Sequence, residues 1–338
     1  MITTSTFKPA WWLRNRHAQT IWPSLFRQRP AITLHRERLE LPDGDFLDLD
    51  WTEDAPGPIV LLMHGLEGND QSHYAKSLLK HLSQHGYRAV IMYFRGCNGE
   101  VNRLPRAYHS GETGDVSYVV SQLVARFPKR SIYAIGISLG GNVLLKWLGE
   151  SKHENPLRAA VAVSVPFDLA NAAEQLNQSG SRIYQRHLLD KLQASLNQRL
   201  KHMSLPIDKD KALHCKTIRE YDDLVTAPLH GFIDAGDYYQ RSSSRYYLST
   251  IETPTLILHA KDDPFMTLEA IPSAHELSKH VKLELSEHGG HVGFISGRLP
   301  FRADYWLEQR INQFLEEQTT VEVPSCDAQS FSASPYRR

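Results

Sequence analysis

A serine between two glycines is the strongest chemical signal in the sequence. Residues 136–140 read Gly-Ile-Ser-Leu-Gly, with Ser138 at the centre, and they join an apolar run at 131–135 to an apolar helical segment at 139–149. In a strained turn between a strand and a helix, the residues two positions before and after the serine come so close that only very small side chains fit there. Such a turn exposes the serine hydroxyl. We therefore predict that Ser138 is a nucleophile.

A serine nucleophile needs a base, and it needs a carboxylate that orients the base. In folds that use this turn, the two follow the serine in the order Asp or Glu, then His. Asp262 and Asp263 come directly after an apolar run at 255–259. They therefore follow the carboxyl end of a predicted strand, where open α/β sheets keep their sites. We predict that Asp263 is the acid, and spacing alone leaves Asp262 open as the alternative.

The base is predicted in a glycine-rich loop near the end of the chain. Residues 287–294 read EHGGHVGF, and the glycines allow the backbone to approach the site closely. We predict that His291 takes the proton of Ser138 and returns it to the leaving group, with His288 as the alternative. Neither a His-Glu-x-x-His helix nor a cysteine cluster is present. The sequence therefore predicts no metal and no cofactor.

Two backbone N–H groups are the predicted oxyanion hole. In this type of site one donor belongs to the residue after the nucleophile, which is Leu139, and the other to a loop after an earlier strand. The second loop is HGLEG at 64–68, where we predict the Leu66 N–H as the donor. His64 is interpreted as structural, because it shapes this loop.

Strand-like and helix-like segments alternate along most of the chain. A hairpin is predicted from alternating residues at 33–40 and 46–51. Short apolar runs, each typical of a strand buried on both faces, lie at 59–63, 89–94, 131–135, 159–165, 255–259 and 281–285. Helical spacing of apolar residues occurs at 74–84, 112–127, 139–149, 268–277 and about 304–317. This alternation predicts an α/β fold with a mostly parallel central sheet flanked by helices.

The pattern divides the chain into four parts. Residues 31–166 and 251–317 form the predicted core, and the polar, mostly helical stretch at 167–250 is predicted to be an inserted helical cap. Residues 1–30 are aromatic and basic, and we interpret them as a lid-like segment over the acyl pocket. The Ser-rich residues 318–338 are predicted to be a disordered tail.

Composition excludes several classes of function. Lys plus Arg and Asp plus Glu both total 38, so no polyanion partner such as nucleic acid is indicated. Cys97, Cys215 and Cys326 have no paired spacing and no signal peptide is evident, so a cytoplasmic location is expected. No apolar run approaches the roughly 18 residues of a spanning helix. Trp11, Trp12 and their neighbours favour packing onto the core, with peripheral contact with a membrane as the alternative.

The motifs together resemble one known family. They are NRHAQT at 15–20, LPDGDF at 41–46, HGLEG at 64–68, FRGC at 94–97, YHSGET at 108–113, GISLGG at 136–141, HAKDDPF at 259–265 and EHGGHVGF at 287–294. This set is similar to the YheT-like branch of the α/β-hydrolases, which are bacterial esterase-type proteins related to eukaryotic lipid-acting members. The resemblance covers the chain to about residue 317, and it implies a charge-relay triad at Ser138, Asp263 and His291 and hydrolysis of carboxylic esters.

The sequence thus predicts a serine hydrolase that cleaves small-molecule or lipid-like carboxylic esters, with short- to medium-chain acyl groups as the expected range, through an acyl-enzyme on Ser138. Two alternatives share the same residues. In one, an alcohol replaces water and the chain is an acyltransferase. In the other, the fold is kept without turnover and the chain is a binding protein. The acyl chain length, the role of residues 15–20 and the oligomeric state are left open.

Overall fold

The structure is a computed structural model that describes residues 1–300 and 302–320 of the chain. The strands are β1 (Ile2–Thr4), β2 (His35–Glu40), β3 (Phe46–Trp51), β4 (Ile59–Met63), β5 (Arg88–Met92), β6 (Ile132–Ile137), β7 (Ala159–Val163), β8 (Thr255–Ala260), β9 (Val281–Ser286), β10 (Ile295–Leu299) and β11 (Arg302–Tyr305). The α-helices are α1 (Arg16–Phe26), α2 (Ala75–Gln84), α3 (Gly114–Arg126), α4 (Leu139–Ser151), α5 (Leu169–Asn177), α6 (Arg182–His202), α7 (Lys209–His214), α8 (Ile218–Tyr221), α9 (Ala227–His230), α10 (Ala235–Ser242) and α11 (Trp306–Thr320).

The central sheet confirms the predicted fold class. Nine strands pair in the order β1-β9-β8-β7-β6-β4-β5-β3-β2. Strands β2 and β3 pair antiparallel with each other, β3 pairs antiparallel with β5, and the remaining pairs of this sheet are parallel. The predicted hairpin and the six predicted core strands are all present, with their ends shifted by a few residues. The parallel strands end at one edge of the sheet, where the loops that carry the candidate site residues begin.

Burial on both faces explains why the central strands are almost entirely apolar. Strands β4, β6, β7 and β8 are buried at every position. Alternate side chains enter two apolar clusters, one on each face of the sheet. Helices α3 and α4 contribute to one cluster, and α2 and α11 to the other. Buried strands of this kind hold their register, so the loops at the sheet edge start from fixed positions.

The residues between β7 and β8 form the mostly helical region. Helices α5 to α10 lie here, and they carry two small apolar clusters of their own. The larger cluster is centred on Leu192 and Leu196 of α6 and also contacts Leu66. Within residues 1–300 and 302–320, no helix is both long and apolar enough to cross a membrane.

Four local features differ from the sequence predictions. The helix predicted at 268–277 is wrong: only two short 3₁₀ turns are present, Leu268–Ala270 and Ala274–Glu276. Pro272 lies between them, and it lacks an N–H and disfavours a helical residue before it. Strand β1 was not predicted, and it extends the sheet by pairing with β9. The β10–β11 hairpin was also missed, and α11 starts after it and ends at Thr320, beyond the predicted core boundary at 317. The predicted tail beyond residue 320 lies outside the described residues.

A buried ion cluster fixes the loop after β5. The Arg95 guanidinium donates two 2.7 Å hydrogen bonds to Asp115 at the start of α3. Its Nη1 nitrogen lies 3.1 Å from Asp45 and 2.9 Å from Asp43, both in the β2–β3 turn. The side chains of Arg95, Asp45 and Asp115 are fully buried. One side chain therefore ties three elements together beside the sheet edge.

We predict that Arg95→Met lowers the free energy of unfolding by about 3–5 kcal/mol, because it leaves buried carboxylates without their cation. As a control, Arg186→Met removes an exposed cation that pairs with Asp190 at 4.0 Å, and it should change this free energy by less than about 0.5 kcal/mol. Urea denaturation at pH 7 measures both values. Equal, small effects of the two substitutions would show that the buried cluster contributes little.

Two histidines are completely buried at the ends of core strands. His64 follows β4, where its Nε2 accepts from the Phe94 N–H at 3.1 Å and its Nδ1 lies 2.7 Å from the Gly65 carbonyl oxygen. His259 lies in β8, and among the described residues neither of its ring nitrogens has a hydrogen-bond partner. Burial lowers the pKa of each imidazole to about 4. Both rings are therefore neutral in the folded protein at neutral pH.

This burial makes stability depend on pH in a defined direction. The unfolded chain protonates these histidines below a pKa of about 6.5, whereas the folded chain does so only near 4. Their contribution is therefore complete above about pH 6.5 and falls as the pH drops toward 4, by about 1.4 kcal/mol per pH unit for each ring. We predict that His259→Phe reduces this slope by that amount, measured by urea denaturation between pH 7 and 5. Identical slopes in the two proteins would contradict the prediction.

Candidate active site

The turn that carries Ser138 is strained and tightly packed. Ser138 lies between β6 and α4 with φ of 53° and ψ of −118°, a positive-φ conformation outside the main allowed regions that is costly for a residue with a Cβ. A Cβ added to Gly136 would lie 2.5 Å from the Gly140 carbonyl oxygen, and one added to Gly140 would lie 2.5 Å from the Met63 carbonyl oxygen. The two glycines are therefore required by close backbone packing. Ser138 itself is half-buried at this turn, between the buried residues Ile137 and Leu139.

The structure brings Ser138, His291 and Asp263 together at the sheet edge. His291 Nε2 lies 2.9 Å from Ser138 Oγ, and His291 Nδ1 lies 2.8 Å from Asp263 Oδ2. Asp263 is 2% exposed, and its second oxygen accepts from the Phe265 N–H at 2.8 Å. With the ring proton on Nδ1, the imidazole donates to the carboxylate and leaves Nε2 to accept from the serine hydroxyl. This arrangement can move a proton between Ser138 and His291.

The two alternative residues occupy different positions. Asp262 Oδ1 accepts from the Gly290 N–H at 2.9 Å, and its other oxygen lies 3.2 Å from His288 Nδ1. His288 is about half exposed and, within the described part of the chain, makes no hydrogen bond with Ser138. Asp262 therefore binds the first part of the loop that carries His291, through His288 and Gly290. The two adjacent carboxylates thus contact different residues of this loop, and only Asp263 contacts His291, which sequence spacing could not reveal.

An aromatic side chain that the sequence did not single out covers the imidazole. The rings of Phe265 and His291 are stacked, with centroids 3.8 Å apart and an interplanar angle of 5°. Tyr184, from the first turn of α6, also packs against Phe265, with centroids 5.1 Å apart. Phe265 belongs to the segment HAKDDPF, so its nearness to Asp263 was visible, but its stacking on His291 depends on the fold.

The loop after β4 lies directly beside the nucleophile. A Cβ on Gly65 would be 3.3 Å from the Ser138 Cβ. The Gly65 N–H donates to the Tyr74 hydroxyl at 2.9 Å, and the Glu67 N–H donates to the Tyr108 hydroxyl at 2.8 Å. Between them, the Leu66 N–H has no partner among the described residues. The Leu139 N–H, at the first position of α4, is likewise unpaired within that part of the chain. Both donors are thus available to a ligand.

Glu67 connects this loop to the core and to α6. It has φ of 49°, and its carboxylate accepts from the Tyr108 hydroxyl at 2.7 Å and from the Ser195 hydroxyl. Burial raises the pKa of the Glu67 carboxyl above its ordinary value. In the sequence, Glu67 was notable only for its place in the motif HGLEG. Its contacts hold the segment that presents the Leu66 N–H.

Ser138 and His291 open into a large cavity of about 680 Å³ between the sheet edge and the helices that follow β7. Its wall includes Leu66, several side chains of α6 and part of α1. Apolar groups from α6 are prominent, namely Ile183, Leu188, Leu192 and Leu196. A cavity of this size fits a small organic molecule or an acyl chain.

Metal binding is not supported by the arrangement of ligating side chains. Among the described residues, no group of three or more His, Cys, Asp or Glu side chains could hold a metal ion. Cys97 and Cys215 are free and buried, and burial raises the pKa of both thiols. Cys326 lies outside the described residues.

Comparisons with known proteins extend over most of the chain. YheT of Escherichia coli (strain K12), a protein named as an esterase, is 43% identical over 330 residues, which are 96% of each chain. Phospholipase ABHD3 of Mus musculus is 31% identical over 328 residues, covering 93% of this chain and 79% of that protein. Monoacylglycerol lipase of Saccharomyces cerevisiae is 31% identical over 283 residues, covering 81% of this chain and 62% of that protein.

Solved structures share the architecture at low sequence identity. The Pyrococcus furiosus esterase Pf2001 matches with a TM-score of 0.58 and 18% identity, covering 86% of this chain and 92% of that one. The family model described as alpha/beta hydrolase fold matches residues 58–298. Given this match and the extended similarity to YheT, the chain belongs to the alpha/beta hydrolase family, in its YheT-like branch.

Proposed function

We propose that this protein hydrolyses carboxylic esters through an acyl-enzyme formed on Ser138. The observation that carries the proposal is the continuous line of hydrogen-bonding distances from Ser138 through His291 to Asp263, at 2.9 and 2.8 Å, opening into a mostly apolar cavity. A nucleophile, a base in contact with it and a carboxylate that orients the base are the minimum set for acyl transfer to serine.

The first half of the reaction forms the acyl-enzyme. His291 Nε2 takes the Ser138 proton as Oγ attacks the ester carbonyl carbon, and the carbonyl oxygen becomes an oxyanion. When the C–O bond to the leaving alcohol breaks, His291 gives the proton to the alcohol oxygen. Asp263 holds the ring orientation and stabilises the imidazolium, with its own proton state unchanged.

The second half returns the enzyme to its starting state. His291 takes a proton from water as the water oxygen attacks the acyl carbon, and then returns the proton to Ser138 Oγ as the acid leaves. In both halves, the N–H groups of Leu66 and Leu139 are proposed to bind the oxyanion. Their lack of other partners among the described residues supports this role, because a donor already in place costs little reorganisation when charge develops.

A lipid-like ester is the proposed substrate class. Leu25 of α1 and Ile183 of α6 line the cavity and are 68% and 64% exposed, so the entrance presents apolar groups to incoming molecules. The relatives named phospholipase and monoacylglycerol lipase support the same class. The exposed apolar groups of α1 at the cavity entrance also support the proposal that the N-terminal segment acts as a lid. Contact with a bilayer surface, and a cytoplasmic location, stay predictions.

The proposed catalytic roles predict that substitutions of the three residues lower kcat to different extents. Ser138→Ala and His291→Ala should each lower kcat for a nitrophenyl ester by about 10⁵- to 10⁶-fold, and Asp263→Asn by about 10⁴-fold. Asp262→Asn is the matched control, because its amide oxygen can still accept from Gly290, and its loss should stay below about tenfold. Steady-state kinetics and labelling by a fluorophosphonate measure these effects. A folded wild type that neither hydrolyses esters nor reacts with the probe would favour a binding protein.

The cavity predicts control of acyl chain length by α6. Leu188→Trp adds bulk at the cavity wall, so it should raise KM for nitrophenyl esters of long acids while leaving the acetate ester within about threefold of wild type. Leu200→Trp is the control, because Leu200 lies on the same helix outside the cavity wall. A series of esters from acetate to decanoate tests this. An unchanged chain-length profile in Leu188→Trp would exclude this cavity as the acyl site.

A further inference from the structure

The loop that carries His291 is held by side chains from elsewhere in the chain. Three of its N–H groups donate to such side chains, Gly290 to Asp262 at 2.9 Å, His291 to Thr20 at 2.9 Å and Val292 to Ser164 at 3.0 Å, and Ile295, which follows the loop at the start of β10, donates to Gln19 at 2.7 Å. No regular secondary structure fixes residues 287–294. Two of the four acceptors belong to α1, which lies far away in the sequence.

The glycines of this loop fit around α1. A Cβ on Gly290 would lie 2.5 Å from the Arg16 carbonyl oxygen and 2.6 Å from Thr20 Oγ1. A Cβ on Gly293 would lie 2.4 Å from the Gln19 carbonyl oxygen. Real Cβ atoms do not approach other atoms this closely, so both positions require glycine because the helix is there. The loop and α1 therefore pack backbone against backbone.

Gln19 fixes α1 in this position. Its side chain is completely buried, and its amide nitrogen donates to the carbonyl oxygens of Leu13 at 2.7 Å and Ile295 at 3.0 Å. Its amide oxygen accepts from the Ile295 N–H. A buried amide with both ends paired in this way is costly to disturb. The register of α1 relative to the loop is thus set one residue before Thr20.

Thr20 makes the contact with the His291 backbone itself. Its hydroxyl donates to the Arg16 carbonyl oxygen at 2.8 Å, so the oxygen lone pairs point toward the loop, where they accept from the His291 N–H. Val292 beside it has φ of 57°, and Gly290 has φ of 58°. The backbone at His291 is therefore unusual on both sides, and its N–H would be buried without a partner if the Thr20 hydroxyl were absent.

We propose that Thr20, which belongs to α1, is a positioning residue for the reaction. By fixing the backbone of His291, the Thr20 hydroxyl keeps Nε2 within 2.9 Å of Ser138 Oγ while the imidazole gains and loses its proton. This inference rests on the proposed function, because it assigns Thr20 a part in that same proton transfer. It also gives the segment NRHAQT a role in positioning the base.

Thr20→Val tests the proposal, because valine keeps the shape and removes the hydroxyl. We expect kcat for nitrophenyl butyrate to fall about tenfold with KM within about twofold of wild type, and the rate of fluorophosphonate labelling to fall by the same factor. Thr20→Ser keeps the hydroxyl and should recover kcat to within about threefold of wild type. Thr20→Ala provides a second variant without the hydroxyl, and it should match Thr20→Val if the hydroxyl is what matters.

Thr52→Val is a matched structural control. The Thr52 hydroxyl also accepts a backbone N–H, from Ala89 at 3.0 Å, and contacts a carbonyl oxygen, but it lies at the opposite edge of the sheet after β3. Thr52→Val should lower the melting temperature by about as much as Thr20→Val does, and it should leave kcat unchanged.

The possible results separate the two proposals. Wild-type kcat in a folded Thr20→Val, an equal loss of kcat in Thr52→Val, or a Thr20→Ser variant as slow as Thr20→Val would each overturn the positioning role while ester hydrolysis by the wild type stands. A folded wild type without hydrolysis or labelling would overturn the proposed function, and the positioning role with it.

Discussion

The imidazole of His291 must lie within hydrogen-bonding distance of two partners at the same time, and the rest of the site is arranged around that requirement. Its ring nitrogens lie 2.9 Å from Ser138 and 2.8 Å from Asp263. The three residues follow β6, β8 and β9, so each distance depends on the register of separate strands. A displacement of about 1 Å is enough to lower the rate of a proton transfer of this kind severely. A parallel sheet buried on both faces meets the requirement, because its strands cannot slip by one residue without exposing core side chains.

The edge of this sheet also holds backbone conformations that are unfavourable elsewhere. Ser138, Ser164 and Val292 all have positive φ, between 50° and 57°, and each such residue costs about 1–3 kcal/mol. All three lie in the loops that surround the imidazole, and Ser164 Oγ accepts from the Val292 N–H. The apolar clusters on both faces of the sheet supply the stability that keeps these loops in place. Strain is thus concentrated where side chains must be directed out of the sheet edge.

The sequence predicted the parts that depend on local pattern, and it missed those that depend on distant contacts. Apolar runs identified the core strands, and the spacing of glycines around Ser138 identified its turn. Asp263 was the predicted acid, but spacing alone left Asp262 open, because the two carboxylates acquire their different partners, His291 for Asp263 and Gly290 for Asp262, only once the β8 loop is folded. Strand β1 has three residues, mostly exposed, and leaves no periodic signal. The contact between Thr20 and His291 joins residues 271 positions apart, which no local pattern reveals.

The helices between β7 and β8 do more than cover the cavity. Glu67 accepts from Tyr108 of the core and from Ser195 of α6, so the loop that presents the Leu66 N–H is fastened on both sides. Tyr184 of the same helix packs on Phe265, which stacks on His291. Helix α6 therefore contacts both the oxyanion loop and the residue that covers the base. Because the same helix also lines the cavity, side chains that shape the substrate and side chains that hold the catalytic groups share one rigid element. Substitutions in the cavity wall can change substrate preference freely only where, as at Leu188, the side chain faces the cavity and takes no part in these two contacts.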